Sequence, residues 1–268
     1  ERTRRMVAKS ITRPAILRDE SSTGQNGKVR MERFHGRNVV VTGAGSGIGA
    51  AVVARFVQEG ATVLGMDVSE ARHPSAEHVI ADVRDRSSIA QALDTFVDKR
   101  GEIDVLVTCA GVYRPADALA ATDADFDLLF GVNVQGTFIA AQESARRMPR
   151  GGCIVTVASV ASRLSTPENV LYSASKGAVE SLTRGLAVSL APHGIRVNGV
   201  RPGPVSTPQG QAAMQNPSYR ERMLGRQLIP ELAEPTDLAG VVAFLASDDA
   251  RFIDGELLNV DAGIQAVR

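Results

Sequence analysis

The sequence predicts an α/β fold: a single doubly wound domain with a seven-stranded parallel sheet and helices on both faces. From residue 37 onward, short runs of β-branched and aliphatic residues alternate with longer helical patterns, which is typical of a parallel sheet covered on both sides. A glycine-rich turn follows the first run directly. No repeat or interdomain linker interrupts the pattern after residue 31, so we predict one domain over residues 31–268.

Seven apolar runs predict the strands, because strands buried on both faces carry nearly continuous Val, Ile and Leu. Their short length and β-branched content distinguish these runs from helices. The predicted strands cover residues 38–42, 62–67, 78–81, 103–108, 153–158, 195–200 and 256–260.

Apolar residues at helical spacing between these runs predict the connecting helices. The predicted helices cover residues 47–59, 87–99, 126–148, 172–190 and 235–246. Gly60 and Pro149 provide stop signals after the first and third helices, and Pro192 follows the fourth. Ser87 is the expected N-cap of the second helix, because a serine side chain can accept a hydrogen bond from a first-turn amide.

The first thirty residues differ in composition from the rest of the chain. They hold eight Lys and Arg against three Asp and Glu, and residues 21–27 form a polar linker. We interpret residues 1–30 as a disordered or loosely attached basic extension. A basic targeting segment is the alternative, although Asp19 and Glu20 weaken it.

Composition excludes several classes of function. The chain has 268 residues, and its 30 Lys and Arg balance 30 Asp and Glu, which argues against a basic surface for nucleic acid. No apolar run approaches the ~20 residues of a membrane-spanning helix. Two cysteines and four scattered histidines give no disulfide framework and no metal-ligand spacing, so we expect no metal, no membrane and a cytoplasmic protein.

The glycine-rich turn, TGAGSGIG over residues 42–49, joins the first strand to the first helix. Glycine lets the backbone approach a ligand closely, and the helix N-terminus offers free N–H groups to a pyrophosphate. Asp67 ends the second strand, 18 residues beyond Gly49, near the spacing of a carboxylate that binds the adenosine ribose. That carboxylate would repel a 2′-phosphate, so the sequence predicts NAD rather than NADP, with Arg72 the one residue that could complicate this choice.

Together these and later motifs resemble the short-chain dehydrogenase/reductase family over about residues 34–268. The turn has that family's TGxxxGIG spacing, Tyr172 and Lys176 form its Tyr-x-x-x-Lys motif, and Ser159 lies thirteen residues before Tyr172. The resemblance implies a Rossmann fold and a catalytic tetrad of Asn133, Ser159, Tyr172 and Lys176. Ser162 competes with Ser159, but the family spacing favours Ser159.

The resemblance also implies a cofactor site along the carboxyl ends of the strands. Its expected members are Gly43, Ser46, Gly47, Ile48, Gly49, Asp67, Asp82, Val83, Cys109, Ala110, Gly111, Tyr172, Lys176, Pro202, Gly203, Val205 and Thr207. Asp82 and Val83 are similar to the family's adenine-contacting pair. Thr108 and Cys109 stand where the family has paired asparagines, so we expect an intact cofactor channel with different bracing of the sheet.

The spacing of Tyr172 and Lys176 has a chemical consequence. Residues four apart on one helix project from the same face, and a nearby ammonium lowers the pKa of a tyrosine from its ordinary value of about 10. By resemblance, Tyr172 exchanges the hydroxyl proton, Ser159 aligns the substrate oxygen and Lys176 also binds the nicotinamide ribose. Asn133 would then lie in a helix distortion that holds a water near Lys176.

The predicted function is hydride transfer between NAD(H) and a secondary alcohol or its ketone. An NADPH-dependent ketoreductase is the alternative that Asp67 argues against, and enoyl reductases of the family space the Tyr and Lys more widely. A nucleotide-sensing protein that has lost catalysis is disfavoured, because all four tetrad positions are present.

The sequence predicts the class of substrate and the oligomeric state in less detail than the catalytic residues. A lid over about residues 204–230 has apolar side chains that would cover a small-molecule alcohol or ketone. The side chains expected to face the substrate are Tyr113, Val160, Ala161, Arg163 and Pro204, and Arg114 or Arg163 could meet an anionic group. Many small residues along 126–148 and 172–190, helices that the family pairs across a two-fold axis, predict a homodimer or homotetramer.

Overall fold

Seven parallel strands form the centre of the molecule, and the predicted α/β architecture is confirmed. The computed structural model describes residues 32–70, 73–149 and 151–266. Residues 1–30 and Arg72 lie outside them. The strands are β1 Asn38–Thr42, β2 Thr62–Asp67, β3 Glu77–Ile80, β4 Val105–Thr108, β5 Cys153–Val157, β6 Arg196–Pro202 and β7 Leu257–Val260. Their spatial order is β3-β2-β1-β4-β5-β6-β7.

Helices cover both faces of this sheet. They are α1 Gly47–Gln58, α2 Arg86–Arg100, α3 Asp123–Phe130, α4 Thr137–Ala145, α5 Val170–Leu190, α6 Pro208–Ala213, α7 Pro217–Leu224 and α8 Pro235–Ala246. The prediction of one continuous helix over 126–148 is wrong, because a π-helical turn, Gly131–Gly136, separates α3 from α4. Ser87 is also not the N-cap of α2. The Asp85 side chain accepts hydrogen bonds from the amides of Ser87 and Ser88, so Ser87 is already inside the helix.

Alternate residues of each strand supply two separate cores, because successive side chains point to opposite faces of the sheet. Val39 and Val41 pack on one side with residues of α1 and α8, including Phe56. Val40 and Leu64 pack on the other side with α2, α4 and α5. The strands are therefore buried on both faces.

The strand order reverses between β1 and β4, which are neighbours in space but distant in sequence. Their register pairs Thr42 with Thr108, so the residues that follow both strands meet at the same edge of the sheet. In open α/β sheets, the crevice at such a switch point is where ligands bind. The fold therefore brings the glycine turn and the residues after β4 together.

The segment predicted as a lid contains the short helices α6 and α7. Met223 of α7 packs in a small apolar cluster with Val160 and Ile264. The Leu228 amide donates a hydrogen bond of 2.8 Å to the carbonyl oxygen of Ala262, which has a left-handed φ of 52°. The segment is thus tied to the C-terminal part of the chain.

Two kinds of feature, a membrane-crossing helix and a metal-binding cluster, are absent from the described residues. None of their helices combines the length and the apolar character that crossing a membrane requires. No cluster of His, Cys, Asp and Glu side chains among the same residues has an arrangement that could bind a metal ion.

Candidate active site

A cavity of about 560 Å³ opens along the carboxyl ends of the central strands. Ser159, Tyr172 and Lys176 line this cavity together with every residue that the sequence predicts to contact a cofactor. Of the predicted catalytic and cofactor-binding residues, all of which the structure describes, only Asn133 is not in the lining. It is fully buried behind it.

The glycine turn presents bare backbone to the cavity. Gly43 has φ +67°, and a Cβ at this position would lie 2.5 Å from the amide nitrogen of Ala110. Gly47 has φ +53°, and its Cβ would lie 2.9 Å from Cγ2 of Thr207. Within the described chain, the Ser46 side chain makes no capping hydrogen bond to α1. The first-turn amides of α1 are therefore left for an anion, as a dinucleotide pyrophosphate requires.

Asp67 lies against this turn at the end of β2. Its Oδ2 accepts a hydrogen bond of 2.9 Å from the Gly45 amide, and its Oδ1 accepts one of 2.8 Å from the Ser69 amide. Each carboxylate oxygen keeps a further lone pair for another donor. The neighbouring Val68 side chain is 70% exposed and uncharged. This arrangement fits a ribose with two free hydroxyls.

The predicted adenine-contacting pair is accompanied by a cation that the sequence analysis missed. Arg84 also lines the cavity, and its Nη2 lies 2.6 Å from Oδ2 of Asp82. Hydrogen bonding from the Arg84 side chain lowers the pKa of Asp82 below its ordinary value. The adjacency of Arg84 to the Asp82-Val83 pair is the sequence signal that could have revealed it.

Lys176 projects from α5 to the end of β5 and is only 6% exposed. Its Nζ donates a hydrogen bond of 2.9 Å to the carbonyl oxygen of Val157 and lies 5.9 Å from the ring centroid of Tyr172. Burial lowers the pKa of Lys176 to about 8. Burial also raises the pKa of the nearby Cys109 thiol to about 12, so that thiol stays protonated near neutral pH.

Tyr172 lies one helical turn before Lys176, as the spacing predicts. Its ring meets the ring of Tyr113 edge to face, with the two centroids 5.0 Å apart. The pKa of the Tyr172 hydroxyl is raised, because burial outweighs the lowering by hydrogen bonding with the Ser159 side chain; this direction is opposite to the lowering that the sequence analysis expects from Lys176. The Tyr172 hydroxyl and the Ser159 side chain therefore lie close together in the cavity.

The choice between the two candidate serines follows from their surroundings. Ser159 lines the cavity, and its Oγ accepts a hydrogen bond of 3.1 Å from the Ala161 amide. The Ser162 hydroxyl lies 2.5 Å from the carbonyl oxygen of Ser159 and also contacts the Glu180 carboxylate. In the described structure Ser162 does not line the cavity, so the geometry favours Ser159.

Asn133 lies in the π-helical turn, where the sequence analysis expects a distortion. Its Nδ2 donates to the carbonyl oxygen of Val112 and to Oγ of Ser175, at 3.1 and 3.0 Å. A Cβ on Gly111 would lie 3.4 Å from both Oδ1 of Asn133 and Nζ of Lys176. The missing side chain of Gly111 therefore leaves a small space between these two polar groups.

A buried ion pair that the sequence analysis missed supports this region. Arg201 of β6 donates to both carboxylate oxygens of Glu180 in α5, with Nε–Oε1 at 2.6 Å and Nη2–Oε2 at 3.0 Å. Arg163 lies 3.5 Å from the same carboxylate, and Arg114 pairs with Asp125. Arg114 and Arg163, both described residues, do not line the cavity, whereas Tyr113, Val160, Ala161 and Pro204 do.

Thr108 and Cys109 stand where the sequence analysis expects the sheet to be held by different side-chain contacts. The buried Thr108 hydroxyl has no hydrogen-bond partner among the described residues. The amide of Ala110 instead donates to the Thr42 hydroxyl at 3.2 Å. Cys109, Ala110 and Gly111 still line the cavity.

The chain is similar to known proteins over most of its length. A family model described as enoyl-(acyl carrier protein) reductase matches residues 43–265. A crystal structure of a short-chain dehydrogenase from Burkholderia cenocepacia, in complex with NADP, is 31% identical and superposes with a TM-score of 0.81, covering 87% of this chain and 99% of that one. The chain belongs to the short-chain dehydrogenase/reductase family.

Two curated relatives of this short-chain dehydrogenase/reductase have named activities. Cis-4-hydroxycyclohexanecarboxylate dehydrogenase of Sinomonas cyclohexanicum is 37% identical, over 88% of this chain and 99% of the relative. The 3-oxoacyl-[acyl-carrier-protein] reductase of Thermotoga maritima is 35% identical, over 87% of this chain and 99% of the relative. Membership in the family makes this chain an oxidoreductase that binds a nicotinamide cofactor and acts on small molecules.

Proposed function

We propose that this protein is an NAD-dependent dehydrogenase that interconverts a secondary alcohol and the corresponding ketone. One observation carries the proposal: Tyr172, Lys176 and Ser159 share a single cavity with the glycine turn and Asp67. This arrangement supports a proton-transfer role for Tyr172 beside a bound dinucleotide.

The residues divide the chemistry among them. Bound NAD supplies the acceptor for the hydride that leaves the carbinol carbon. The Ser159 hydroxyl holds the substrate oxygen, and Tyr172 accepts the proton of the alcohol as its C–O bond becomes a carbonyl. In the reducing direction Tyr172 returns that proton to the oxygen of the new alcohol.

The protonation state of Tyr172 depends on its neighbours. Burial raises the pKa of Tyr172, which disfavours its action as a base, but the hydrogen bond with Ser159 opposes that shift. The Lys176 ammonium lies 5.9 Å from the centroid of the Tyr172 ring, and a positive charge that approaches the hydroxyl would favour the phenolate. The space beside Gly111, between Asn133 and Lys176, would hold the water that returns the proton to solvent.

The preference for NAD rests on Asp67. Its carboxylate oxygens each have one amide partner and can accept a ribose hydroxyl, whereas a 2′-phosphate would meet a negative charge. The nearby cation Arg84 is already paired with Asp82. One relative is named as a 3-oxoacyl-[acyl-carrier-protein] reductase, but an NADPH-dependent ketoreductase would have to place the 2′-phosphate against Asp67. The spacing of Tyr172 and Lys176 likewise argues against an enoyl reductase.

We expect Asp67→Ala combined with Val68→Arg to shift the ratio of NADP to NAD affinity by at least about tenfold toward NADP. The double variant removes the carboxylate that binds the ribose hydroxyls and adds a cation for the phosphate, and one lost charge-assisted hydrogen bond is sufficient for such a change. Fluorescence titration with each cofactor measures the shift. Val68→Arg alone is the control, since it retains the repulsive carboxylate. Wild-type protein that binds NADP as tightly as NAD would contradict the assignment.

A screen of secondary alcohols with NAD, followed by NADH absorbance, tests the proposed function itself. The expected result is NADH formation with at least one secondary alcohol and NADH consumption with the matching ketone. Binding of NAD without turnover in either direction, across aliphatic, alicyclic and hydroxy-acid substrates, would favour the nucleotide-sensing alternative.

We also expect a homodimer or homotetramer. Phe126, Phe130 and Phe138 form an apolar outer face on α3 and α4, with Leu182 of α5 beside them, and Phe126 and Phe138 are exposed. Pairing this face with a second copy would remove it from water. Light scattering should give at least twice the mass of one chain, and Phe126→Arg with Phe138→Arg should lower it. The control is Phe252→Arg, at an exposed position outside this face. A wild-type monomer at micromolar concentration would contradict the prediction.

A further inference from the structure

The side of the cavity beyond Tyr172 differs in charge from the cofactor side. Among the described residues, the charged side chains in the lining are Asp67, Asp82, Arg84 and Lys176, and all belong to the predicted cofactor contacts or their neighbours. Beyond Ser159 and Tyr172 the lining is uncharged and mostly apolar. The side chains that form this substrate wall include Tyr113, Val160, Leu164, Met214, Tyr219 and Met223.

The substrate wall is a packed surface with its own support. Val160 and Met223 belong to one apolar cluster with Ile264, and Met214 packs against that cluster. Tyr113 packs edge to face on Tyr172. Burial raises the pKa of Tyr113 to about 12, so its hydroxyl is neutral near physiological pH.

The described arginines near the substrate wall are paired with carboxylates or exposed, and none of them lines the cavity. Arg222 of α7 pairs with Glu168, with Nη2–Oε1 at 2.9 Å, and its guanidinium lies over the ring of Tyr219. Arg163 is held by Glu180 on the far side of the Ser159 turn. Arg220 and Arg226 are exposed and, in the described structure, do not line the cavity.

The uncharged lining should bind apolar substrates more favourably than charged ones. A carboxylate or phosphate that enters this side loses its water and gains no cation, and an unpaired charge in such a place is strongly disfavoured. An apolar ring or branched chain gains from burial against the Leu164, Met214 and Met223 side chains. The Tyr113 and Tyr219 hydroxyls can still meet one neutral polar group.

We propose that the substrate is an uncharged secondary alcohol with a compact apolar body, alicyclic or branched aliphatic, that lies against the substrate wall while its hydroxyl meets Ser159 and Tyr172. This inference rests on the proposed function, and it narrows that function from secondary alcohols in general to neutral ones. Short hydroxy acids, whose carboxylate would lie against the substrate wall, are excluded by it.

The test compares two substrates that differ only in charge: methyl 4-hydroxycyclohexanecarboxylate and the free acid. With NAD and the wild-type enzyme, we expect kcat/KM for the ester to exceed that for the acid by on the order of a hundredfold. Equal or higher kcat/KM for the acid would overturn the proposal while leaving the proposed function intact. If neither these compounds nor any neutral secondary alcohol is oxidised, the proposed function falls, and the inference with it.

A variant tests the charge preference of the substrate wall in a way that does not depend on the cyclohexane ring of these two substrates. Met214→Arg places a cation at the edge of the substrate wall, and we expect it to move the acid-to-ester ratio of kcat/KM by at least about tenfold toward the acid. Leu119→Arg is the matched control, because Leu119 is fully exposed and outside the described cavity lining, and its ratio should equal that of the wild type. Retained NAD affinity shows that each variant is folded. A Met214→Arg enzyme that is folded and has an unchanged ratio would contradict the placement of the substrate.

Discussion

Tyr172→Phe is expected to reduce turnover by ~10²–10⁴-fold, because it removes the hydroxyl that exchanges the substrate proton. The substitution keeps the ring, so its edge-to-face packing on Tyr113 and its position near Lys176 are retained. NAD affinity should stay close to that of the wild type, since Asp67, the glycine turn and Lys176 are unchanged. Steady-state rates and NAD titration on the same preparation measure the two effects separately.

Tyr113→Phe is the matched control for this result. It removes a phenolic hydroxyl from the same cavity, 5.0 Å away between ring centroids, but leaves the proposed acid–base group in place. We expect its turnover to change far less than that of Tyr172→Phe. If Tyr172→Phe keeps near-normal turnover on a confirmed substrate, the proposed mechanism must be abandoned even though the fold is correct.

Glu180→Ala should lower the free energy of unfolding by about 3–5 kcal/mol, because it leaves the buried Arg201 guanidinium without its carboxylate. The side chains of these two residues are only 7% and 4% exposed. Arg201 also donates to the carbonyl oxygen of Leu257 at 2.8 Å, so it cannot turn toward water without losing this hydrogen bond to β7. Urea unfolding measures the loss.

Two further variants separate the buried pair from ordinary surface charge. Glu77→Ala removes a carboxylate that is 30% exposed and pairs with Lys99 and Arg100, and we expect a cost of about 1 kcal/mol or less. Glu180→Met with Arg201→Met removes both buried charges and should recover much of the lost stability. A Glu180→Ala protein as stable as Glu77→Ala would show that the buried pair contributes little.

The same pair predicts the direction of a pH effect. Burial raises the pKa of Glu180, but hydrogen bonds from Arg201 and Ser162 more than offset this, and the pKa is lowered from 4.5. The stabilisation is therefore complete above the unfolded-state value near 4.5 and is lost as the pH falls through the lower folded-state value.

Local patterns determined most of the secondary structure. The predicted ranges of β1, β2 and α8 agree with the structure, because strands buried on both faces are continuous apolar runs and Pro235 marks the start of a helix. The distance between Tyr172 and Lys176 in sequence placed both on one helical face before any packing was known. The glycine turn and Asp67 could likewise be identified from the sequence, since each is defined by the residues next to it: the turn by the strand and helix it joins, and Asp67 by the end of β2.

The tertiary structure decided what depends on neighbours distant in sequence. The sequence analysis expects a helix distortion at Asn133 from the family resemblance alone, without the hydrogen bonds of its side chain to Val112 and Ser175, and it misses the pairing of Glu180 with Arg201. Helical periodicity is nearly the same for a continuous helix and for one with a single widened turn. The sequence also does not show which residue of opposite charge a buried charged residue pairs with. Only the folded chain brings β6, α5 and the Ser159 turn together, and only there does Ser162 turn away from the cavity while Ser159 faces it.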